Sequence, residues 1–225
     1  MKAWIRSLSG TQELLLVLAV AFGATVPGSL AALFGGLSAP DSPPITDAAL
    51  LSSVLLEVVI LVLLGLFLHV RGWSALRLGL TPSWLETGLG LPLALIYYLL
   101  YAGVATAAAS ASPRIHAALD AMHLIAGPLS WPTMLLVSVV NPVFEEVLIC
   151  GYLMSVVRER AGVVAAVNAS VALRVFCHFY QGAIGLIGIV PLALLFAWWY
   201  ARTSRLWPLI IAHAMLDLAA LALGS

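Results

Sequence analysis

Residues 49–68 of the chain read ALLSSVLLEVVILVLLGLFL, and this stretch decides the class of fold. It contains one charged side chain, Glu57. At a rise of about 1.5 Å per residue it forms a helix about 30 Å long, which is the thickness of the hydrocarbon core of a bilayer. The stretch is therefore predicted to cross a membrane as a helix. Residues 14–26 (LLLVLAVAFGATV) and 88–109 (GLGLPLALIYYLLYAGVATAAA) have the same character.

The composition extends this conclusion to the whole chain. Of its 225 residues, 63% are apolar and 9% are charged, whereas soluble globular proteins carry about 25% charged residues. Ten basic and ten acidic residues give a net charge of zero, which gives no reason to expect a nucleic-acid partner. The two cysteines, Cys150 and Cys177, lie in apolar stretches and do not make a disulfide framework.

The expected fold class is an all-α polytopic membrane bundle of about seven (six to eight) helices, in a single domain covering residues 1–225. Lys2 and Arg6 precede the first apolar stretch as in a signal peptide. The stretch continues to about Gly36 and more spans follow, so we interpret it as a retained first helix. Pro27 is predicted to kink this helix. The predicted spans are residues 12–36, 48–70, 84–110, 131–158, 161–180, 184–201 and 206–223.

The basic residues predict the orientation of the chain. If the N-terminus is cytoplasmic, the outside loops hold one basic residue, Arg114, and Arg174 lies within a span. The inside segments hold the other eight, in agreement with the positive-inside rule: Lys2, Arg6, Arg71, Arg77, Arg158, Arg160, Arg202 and Arg205. This pattern, together with the abundance of Ala, Leu and Trp, is typical of a multi-pass protein of the bacterial inner (cytoplasmic) membrane.

Ionisable side chains within the spans are candidates for function, because each costs a few kcal/mol to insert into the bilayer. Apart from Glu57 they are concentrated, together with two asparagines, in three spans. Span four has Asn141, Glu145 and Glu146, span five has Asn168, Arg174 and His178, and span seven has His213 and Asp217. Residues four apart share one helix face, whereas adjacent glutamates diverge by about 100°, so one of the two faces a shared cavity squarely.

Three polar stripes that converge between apolar walls predict a water-containing site in which a carboxylate acts as a general base. Asn141 and Pro142, one turn before the glutamates, are predicted to bend span four and make room beside the site. Two alternatives from other classes remain open. The polar groups could hold helices together as a scaffold, or they could form the ion or proton pathway of a transporter.

Four stretches together resemble the CPBP family of CAAX proteases and bacteriocin-processing enzymes, also called the Abi family. Residues 144–153 (FEEVLICGYL) resemble its first motif, E-E-x-x-x-R followed by Gly, and residues 171–182 (VALRVFCHFYQG) resemble its second, F-x-x-x-H. Residues 206–217 (LWPLIIAHAMLD) resemble the third, H-x-x-x-N or D, and residues 70–80 (VRGWSALRLGL) resemble the loop before the third span. The motif-bearing core is residues 131–223.

The resemblance implies an all-helical intramembrane endopeptidase, similar to the type II CAAX prenyl endopeptidases. It implies that Glu145 and His178 activate the attacking water, that His213 and Asp217 hold the oxyanion, and that Glu146 supports them. The expected partners are the lipid bilayer and a membrane-anchored peptide or protein tail, cleaved in surface-protein sorting or in immunity to a peptide toxin. A prenylated substrate is not expected of a bacterial chain.

Two residues depart from the family pattern. Cys150 stands where the first motif has arginine, and Arg174 stands where the second has phenylalanine. We predict that the positive charge has moved from span four to span five and still reaches Glu146. The alternative is a sorting-type transpeptidase in which Cys150 is a nucleophile paired with His178. A cysteine in a membrane helix is more often a small apolar filler.

No cofactor is expected, and the alternative is a zinc ion held by His178, His213 and Glu145.

Counting residues along the helices places His178 and His213 at different depths, which conflicts with a site that contains both. At about 1.5 Å per residue, His178 lies near the outer end of span five and His213 in the inner half of span seven. They meet only if the span boundaries differ, if the helices tilt strongly, or if residues 180–185 (YQGAIG) are re-entrant.

Overall fold

The computed structural model describes residues 5, 7–35, 45–120 and 128–224, and these ranges are helical without a strand. This confirms the all-α membrane bundle. The predicted bound at Gly36 and the predicted charges at Lys2 and Arg6 lie outside the described residues. The α-helices are α1 (Gly10–Phe22), α2 (Val26–Gly35), α3 (Asp47–Val70), α4 (Trp84–Ala111), α5 (Pro113–Asp120), α6 (Trp131–Glu145), α7 (Met154–Cys177), α8 (Gly182–Thr203) and α9 (Trp207–Gly224).

Five helical stretches of the described residues are long and apolar enough to cross a membrane, and a shorter apolar helix follows them. The five are Gly10–Ala31, Asp47–Val70, Trp84–Ala111, Trp131–Cys177 and Ile184–Thr203, and the shorter one is Trp207–Leu223. The fourth stretch, with 47 residues, contains two predicted spans. As one straight helix it would be about 70 Å long, more than twice the thickness of the bilayer core.

The fourth stretch is a hairpin of two helices that reverses at Gly162. This residue has φ 84° and ψ 176°, which lies outside the helical region and suits glycine because it has no Cβ. Arg174, beyond the break, contacts Glu146, before it, which a continuous helix would forbid. The seven helices expected from the sequence are therefore all present among the described residues.

The first span is distorted, but one turn earlier than predicted. The sequence pattern placed the kink at Pro27, whereas the helix gives way to a 3₁₀ turn at Gly23–Thr25. A proline ring clashes with the carbonyl group four residues before it, here that of Gly23. The distortion therefore falls where the clash falls. Thr25 Oγ1 stabilises the turn by donating a hydrogen bond to the carbonyl oxygen of Phe22 at 2.7 Å.

The segments that carry the predicted inside charges lie together at one end of the bundle. Four contacts join α1, the loop before α4, the tip of the α6–α7 hairpin and the loop before α9. They are the ion pair of Arg71 with Glu13, the hydrogen bond from Trp73 to Glu13 at 2.9 Å, the pair of Arg77 with Glu159 at 3.0 Å, and the pair of Arg205 with Glu86 at 3.1 Å. The segments that hold these predicted inside charges therefore meet at one end of the described bundle.

The tip of the hairpin projects beyond this end of the bundle. A Cβ at Gly151 would lie 3.2 Å from Leu206 Cδ2 and 3.3 Å from the Leu78 carbonyl oxygen, so Gly151 is level with the start of α9. Gly162 lies about 15 Å further out along the helix. Measured from Gly151 rather than Gly162, His178 and His213 both lie about 10 Å inside the bundle. The count that set them apart was wrong because it took the hairpin tip as the membrane boundary.

Two apolar clusters meet at the segment between α6 and α7. This segment, Glu146–Leu153, is a π-helix. Leu148, Ile149 and Tyr152 pack into one cluster with residues of α1 and α3. Cys150 and Met154 pack into the other cluster with residues of α4, α8 and α9. The start of the π-helix is therefore held from both sides, and the charged residues lie there.

Candidate active site

The two adjacent glutamates lie where α6 passes into the π-helix. Glu145 is the last residue of α6 and Glu146 the first of the π-helix, one turn after Pro142. The predicted bend thus takes the form of widened helical turns, which are frequent at functional sites. Glu145 lines a cavity, whereas the Glu146 side chain is completely buried. The expectation that one glutamate faces the cavity and the other faces a neighbouring helix is confirmed.

Arg174 is completely buried and binds both glutamates. Its Nη1 donates to Glu145 Oε2 at 2.8 Å and its Nη2 to Glu146 Oε1 at 2.7 Å. The planar guanidinium group presents its donors as a rigid fork, which suits two carboxylates held side by side. The predicted contact between Arg174 and Glu146 is present. Cys150 lies beside both of these residues, so an arginine at position 150 would place its charge in the same region.

Helix α9 adds His213 and Asp217 to this group of polar side chains, which we call the cluster. His213 Nδ1 lies 2.8 Å from Glu146 Oε1, and His213 Nε2 lies 3.4 Å from Asp217 Oδ1. Asn141 Nδ2 donates to Asp217 Oδ2 at 3.0 Å. Because the residue numbers rise along α6 as they fall along α9, the two helices are antiparallel. Their contacts form an outer pair, Asn141 with Asp217, and an inner pair, Glu146 with His213.

His178 lies directly after α7, where the helix has ended. Its Nδ1 lies 2.8 Å from the Arg174 carbonyl oxygen, and because a carbonyl oxygen only accepts, Nδ1 carries the proton. His178 Nε2 then faces Glu145 Oε1 at 3.6 Å. This separation is longer than a hydrogen bond, so both atoms remain open to a third group.

The segment after His178 turns back inside the bundle. The part of α7 after Gly162 is about 22 Å long, shorter than the bilayer core is thick. A 3₁₀ turn, Phe179–Gln181, packs against α2 and leads into α8 through Gly182, whose φ is 73°. The suggestion that residues near 180–185 are re-entrant therefore agrees with the structure, and helix α2 covers the turn.

A cavity of about 510 Å³ opens onto the cluster. Its volume lies in the range of binding sites for small ligands and peptide side chains. The facing wall includes Tyr97 and Tyr101 from α4 and Gly185 and Gly188 from α8. On the polar side it is lined by Asn141, Glu145, His178, His213 and Asp217, one helical stripe from each of the three predicted spans.

One ionisable residue lies closer to the cluster than its sequence pattern indicated. Glu57 of α3 lies outside the three spans in which the sequence predicts the site. It interacts electrostatically with Glu145, Asp217 and His213, and its Oε2 is buried without a hydrogen-bond partner among the described residues. In the sequence Glu57 is a single charge in an apolar run. No other ionisable residue one helical turn away indicates which face of the helix it lies on.

The position of Cys150 does not favour a nucleophile. Its side chain has no exposed surface, and Cys150 is absent from the residues that line the cavity. Its polar neighbours in the described structure are Glu146, Arg174 and Ser170, rather than His178. A thiol in this place packs as a small apolar group.

Among the residues that the structure describes, the donor atoms that could hold a metal ion are those of Glu145, Glu146 and His213, which lie within 4.8 Å of one another. This differs from the zinc set considered from the sequence, because His213 pairs with Glu146 rather than with Glu145. Arg174 already binds one oxygen of each glutamate. A cation between these carboxylates would lie against a buried guanidinium group, and the repulsion opposes binding. The residues as arranged do not fit a metal ion.

The fold and the site together define a polytopic α-helical membrane protein in which Glu145, His178 and His213 line a cavity among the spans, with Glu146 and Arg174 buried behind them. Residues 127–219 match the family model described as type II CAAX prenyl endopeptidase Rce1-like. This part of the chain is therefore similar to that CAAX protease family, and it contains the whole cluster except Glu57. No curated protein and no solved structure matches the chain.

Proposed function

We propose that the protein is an intramembrane endopeptidase that hydrolyses a peptide bond in a membrane-associated peptide or protein tail, using water activated by Glu145 and His178. The observation that carries the proposal is the pair of atoms Glu145 Oε1 and His178 Nε2, 3.6 Å apart on the wall of the cavity. They are too far apart to bond to each other, and one water molecule entering the cavity can contact both.

In the proposed reaction the water oxygen attacks the carbonyl carbon of the substrate as one water proton passes to Glu145 Oε1. The carbonyl oxygen becomes negatively charged and accepts a hydrogen bond from the Nε2–H of His213, whose ring lies between the carboxylates of Glu146 and Asp217 and is protonated on both nitrogens. The carbon–nitrogen bond then breaks, and the proton held by Glu145 passes to the leaving nitrogen. The products are a carboxylic acid and an amine. His178 Nε2 orients the water, because its Nδ1–H is held by the Arg174 carbonyl oxygen.

The buried residues behind the cavity wall position the groups that line it. Arg174 holds Oε2 of Glu145, which leaves Oε1 directed towards the cavity. Glu146 holds Nδ1 of His213, which leaves Nε2 directed towards Asp217 and the cavity. Both supports are charge-assisted hydrogen bonds in a buried region, where such bonds are strongest.

The proposed substrate is membrane-anchored because the cavity lies among the spans, about 10 Å from the end of the bundle. Purified protein in lipid nanodiscs should therefore cleave members of a library of myristoylated peptides at defined bonds, as read by mass spectrometry. The same peptides without the acyl chain are the control, and we expect them to be cleaved more slowly. A library that remains intact contradicts the proposal and favours a transporter or scaffold.

We propose surface-protein sorting and immunity to a peptide toxin as the biological processes in which this cleavage takes place.

We further propose that the protein resides in the bacterial cytoplasmic membrane with its N-terminus in the cytoplasm. The support is the positive-inside rule, since Arg71, Arg77, Arg158 and Arg205 make their contacts at one end of the bundle. Cysteines introduced at Arg114 and at Arg202 check this: an impermeant maleimide applied to intact cells should label the first alone.

Metal-free catalysis is the corresponding proposal for the cofactor. Dialysis against a strong chelator should leave the rate of peptide cleavage unchanged, because Arg174 already neutralises the carboxylates that a cation would need. Elemental analysis of the purified protein should find much less than one zinc per chain. Stoichiometric zinc, with activity lost on chelation and restored by the metal, contradicts this proposal.

A further inference from the structure

In the outer pair of the cluster the hydrogen-bond donor is Asn141 and the acceptor is Asp217, although the resemblance implied a donor at position 217. The resemblance assigned Asp217 to hold the oxyanion, but an ionised carboxylate has only acceptor atoms. In the structure one of its oxygens accepts a hydrogen bond, and the other faces a histidine nitrogen. Oδ2 receives the hydrogen bond from Asn141 at 3.0 Å, and Oδ1 faces His213 Nε2 at 3.4 Å. Asp217 therefore offers an oxyanion repulsion rather than a hydrogen bond.

Asn141 has the donor that Asp217 lacks. Its amide nitrogen carries two hydrogens, and the one directed to Asp217 fixes the plane of the amide group. The second hydrogen remains for the cavity, whose wall includes Asn141. Asn141 is four residues before Glu145, so the two share one face of α6. A carbonyl carbon attacked by water at Glu145 thus lies one helical turn from this amide.

We propose that Asn141 is a catalytic residue that donates the amide hydrogen bond to the oxyanion, and that Asp217 positions it. This inference rests on the proposed endopeptidase function. As the water oxygen bonds to the carbonyl carbon, the π electrons of the carbonyl group move onto its oxygen, which accepts hydrogen bonds from Asn141 Nδ2–H and His213 Nε2–H. When the carbon–nitrogen bond breaks, these electrons re-form the carbonyl group. Asn141 transfers no proton.

A preorganised donor of this kind acts in the transition state, so its removal should lower kcat rather than raise KM. The substrate for the test is the myristoylated peptide that the wild-type protein cleaves fastest, and the probe is its phosphinate analogue, which imitates the tetrahedral intermediate. We expect Asn141→Ala to lower kcat about 100-fold with KM changed by less than about threefold. Binding of the phosphinate should weaken by a similar factor.

The matched control is Asn168→Ala. Asn168 is an exposed asparagine on α7 and is absent from the residues that line the cavity, so this variant should retain the kcat of the wild type. Thermal unfolding of each variant in nanodiscs separates lost catalysis from lost folding.

A second experiment exchanges the amide and the carboxylate between positions 141 and 217. Asn141→Asp alone brings two carboxylates together and should be inactive, whereas adding Asp217→Asn restores one amide against one carboxylate.

In the exchanged pair the amide lies on α9 and its second hydrogen is available to the cavity from that side, so we expect kcat to recover to within about tenfold of the wild type. The inference is overturned if Asn141→Ala keeps the kcat of Asn168→Ala. It is also overturned if Asn141→Ala weakens binding of peptide and phosphinate equally, which indicates a structural role. If the wild-type protein cleaves no peptide, the endopeptidase function itself has failed, which is a distinct result.

Discussion

Glu145→Gln should lower the rate of peptide cleavage by about 1,000-fold or more while the protein remains folded and inserted. The glutamine carbonyl oxygen can still accept from Arg174, so the packing of the site is retained. The amide cannot take a proton from the attacking water, and a general base contributes about 100-fold to 10,000-fold. The measurement is kcat for the best-cleaved myristoylated peptide in nanodiscs, with thermal unfolding measured on the same sample.

Glu159→Gln is the matched control for this prediction. Glu159 lies on the same hairpin but pairs with Arg77 at the exposed tip, with 59% of its side chain exposed. Loss of an exposed pair changes stability by about 1 kcal/mol or less, so this variant should retain its activity. A Glu145→Gln protein with more than about a tenth of wild-type kcat contradicts the assignment of Glu145 as the base.

Arg174→Phe should be severely damaging to both stability and activity. It leaves the carboxylates of Glu145 and Glu146 in a buried site without the guanidinium group that binds them at 2.8 Å and 2.7 Å. Removing one partner of a buried ion pair costs about 3–5 kcal/mol. Thermal unfolding in nanodiscs and cleavage of the same peptide measure the two effects. Arg77→Phe, which removes a half-exposed arginine, is the control and should be mild.

A second substitution should reverse much of this loss. Cys150 lies beside Glu146 and Arg174, so Cys150→Arg in the Arg174→Phe background returns a cation to the carboxylates. The pair Arg174→Ala with Cys150→Arg exchanges a large and a small residue and avoids overpacking the core. Cys150→Ser alone should be mild. The double-mutant cycle gives the coupling energy directly. Loss of activity in Cys150→Ser together with no recovery in either pair contradicts the relocated charge and supports a cysteine nucleophile.

The helices and the members of the cluster could be predicted because both follow from spacing along single helices. Apolar runs of the right length identified the spans, and polar residues four apart identified the stripes on α7 and α9. The contact of Arg174 with Glu146 was predicted from two compensating departures at positions 150 and 174. These inferences need no knowledge of how one helix is placed along another.

The predictions that were wrong concern that placement. The axial offset between helices depends on packing, such as the approach of Leu78 and Leu206 to Gly151, and a sequence pattern contains no measure of it. Which glutamate meets His213 depends on the same placement, so this contact could not be predicted from the sequence. Glu57 was missed for a related reason: a single charge on a helix shows no stripe, so the side on which it lies follows only from the packing of α3.

The central claim is that water, activated by Glu145 and His178, attacks the peptide bond directly. It is tested most directly by cleaving the best myristoylated peptide in oxygen-18-labelled water that also contains hydroxylamine. Direct attack predicts one oxygen-18 atom in the new carboxylate of each cleaved bond and no hydroxamate product, since no acyl-enzyme forms for hydroxylamine to capture. Formation of the peptide hydroxamate, with loss of that product in Cys150→Ser, would contradict the claim and assign the chemistry to the thiol.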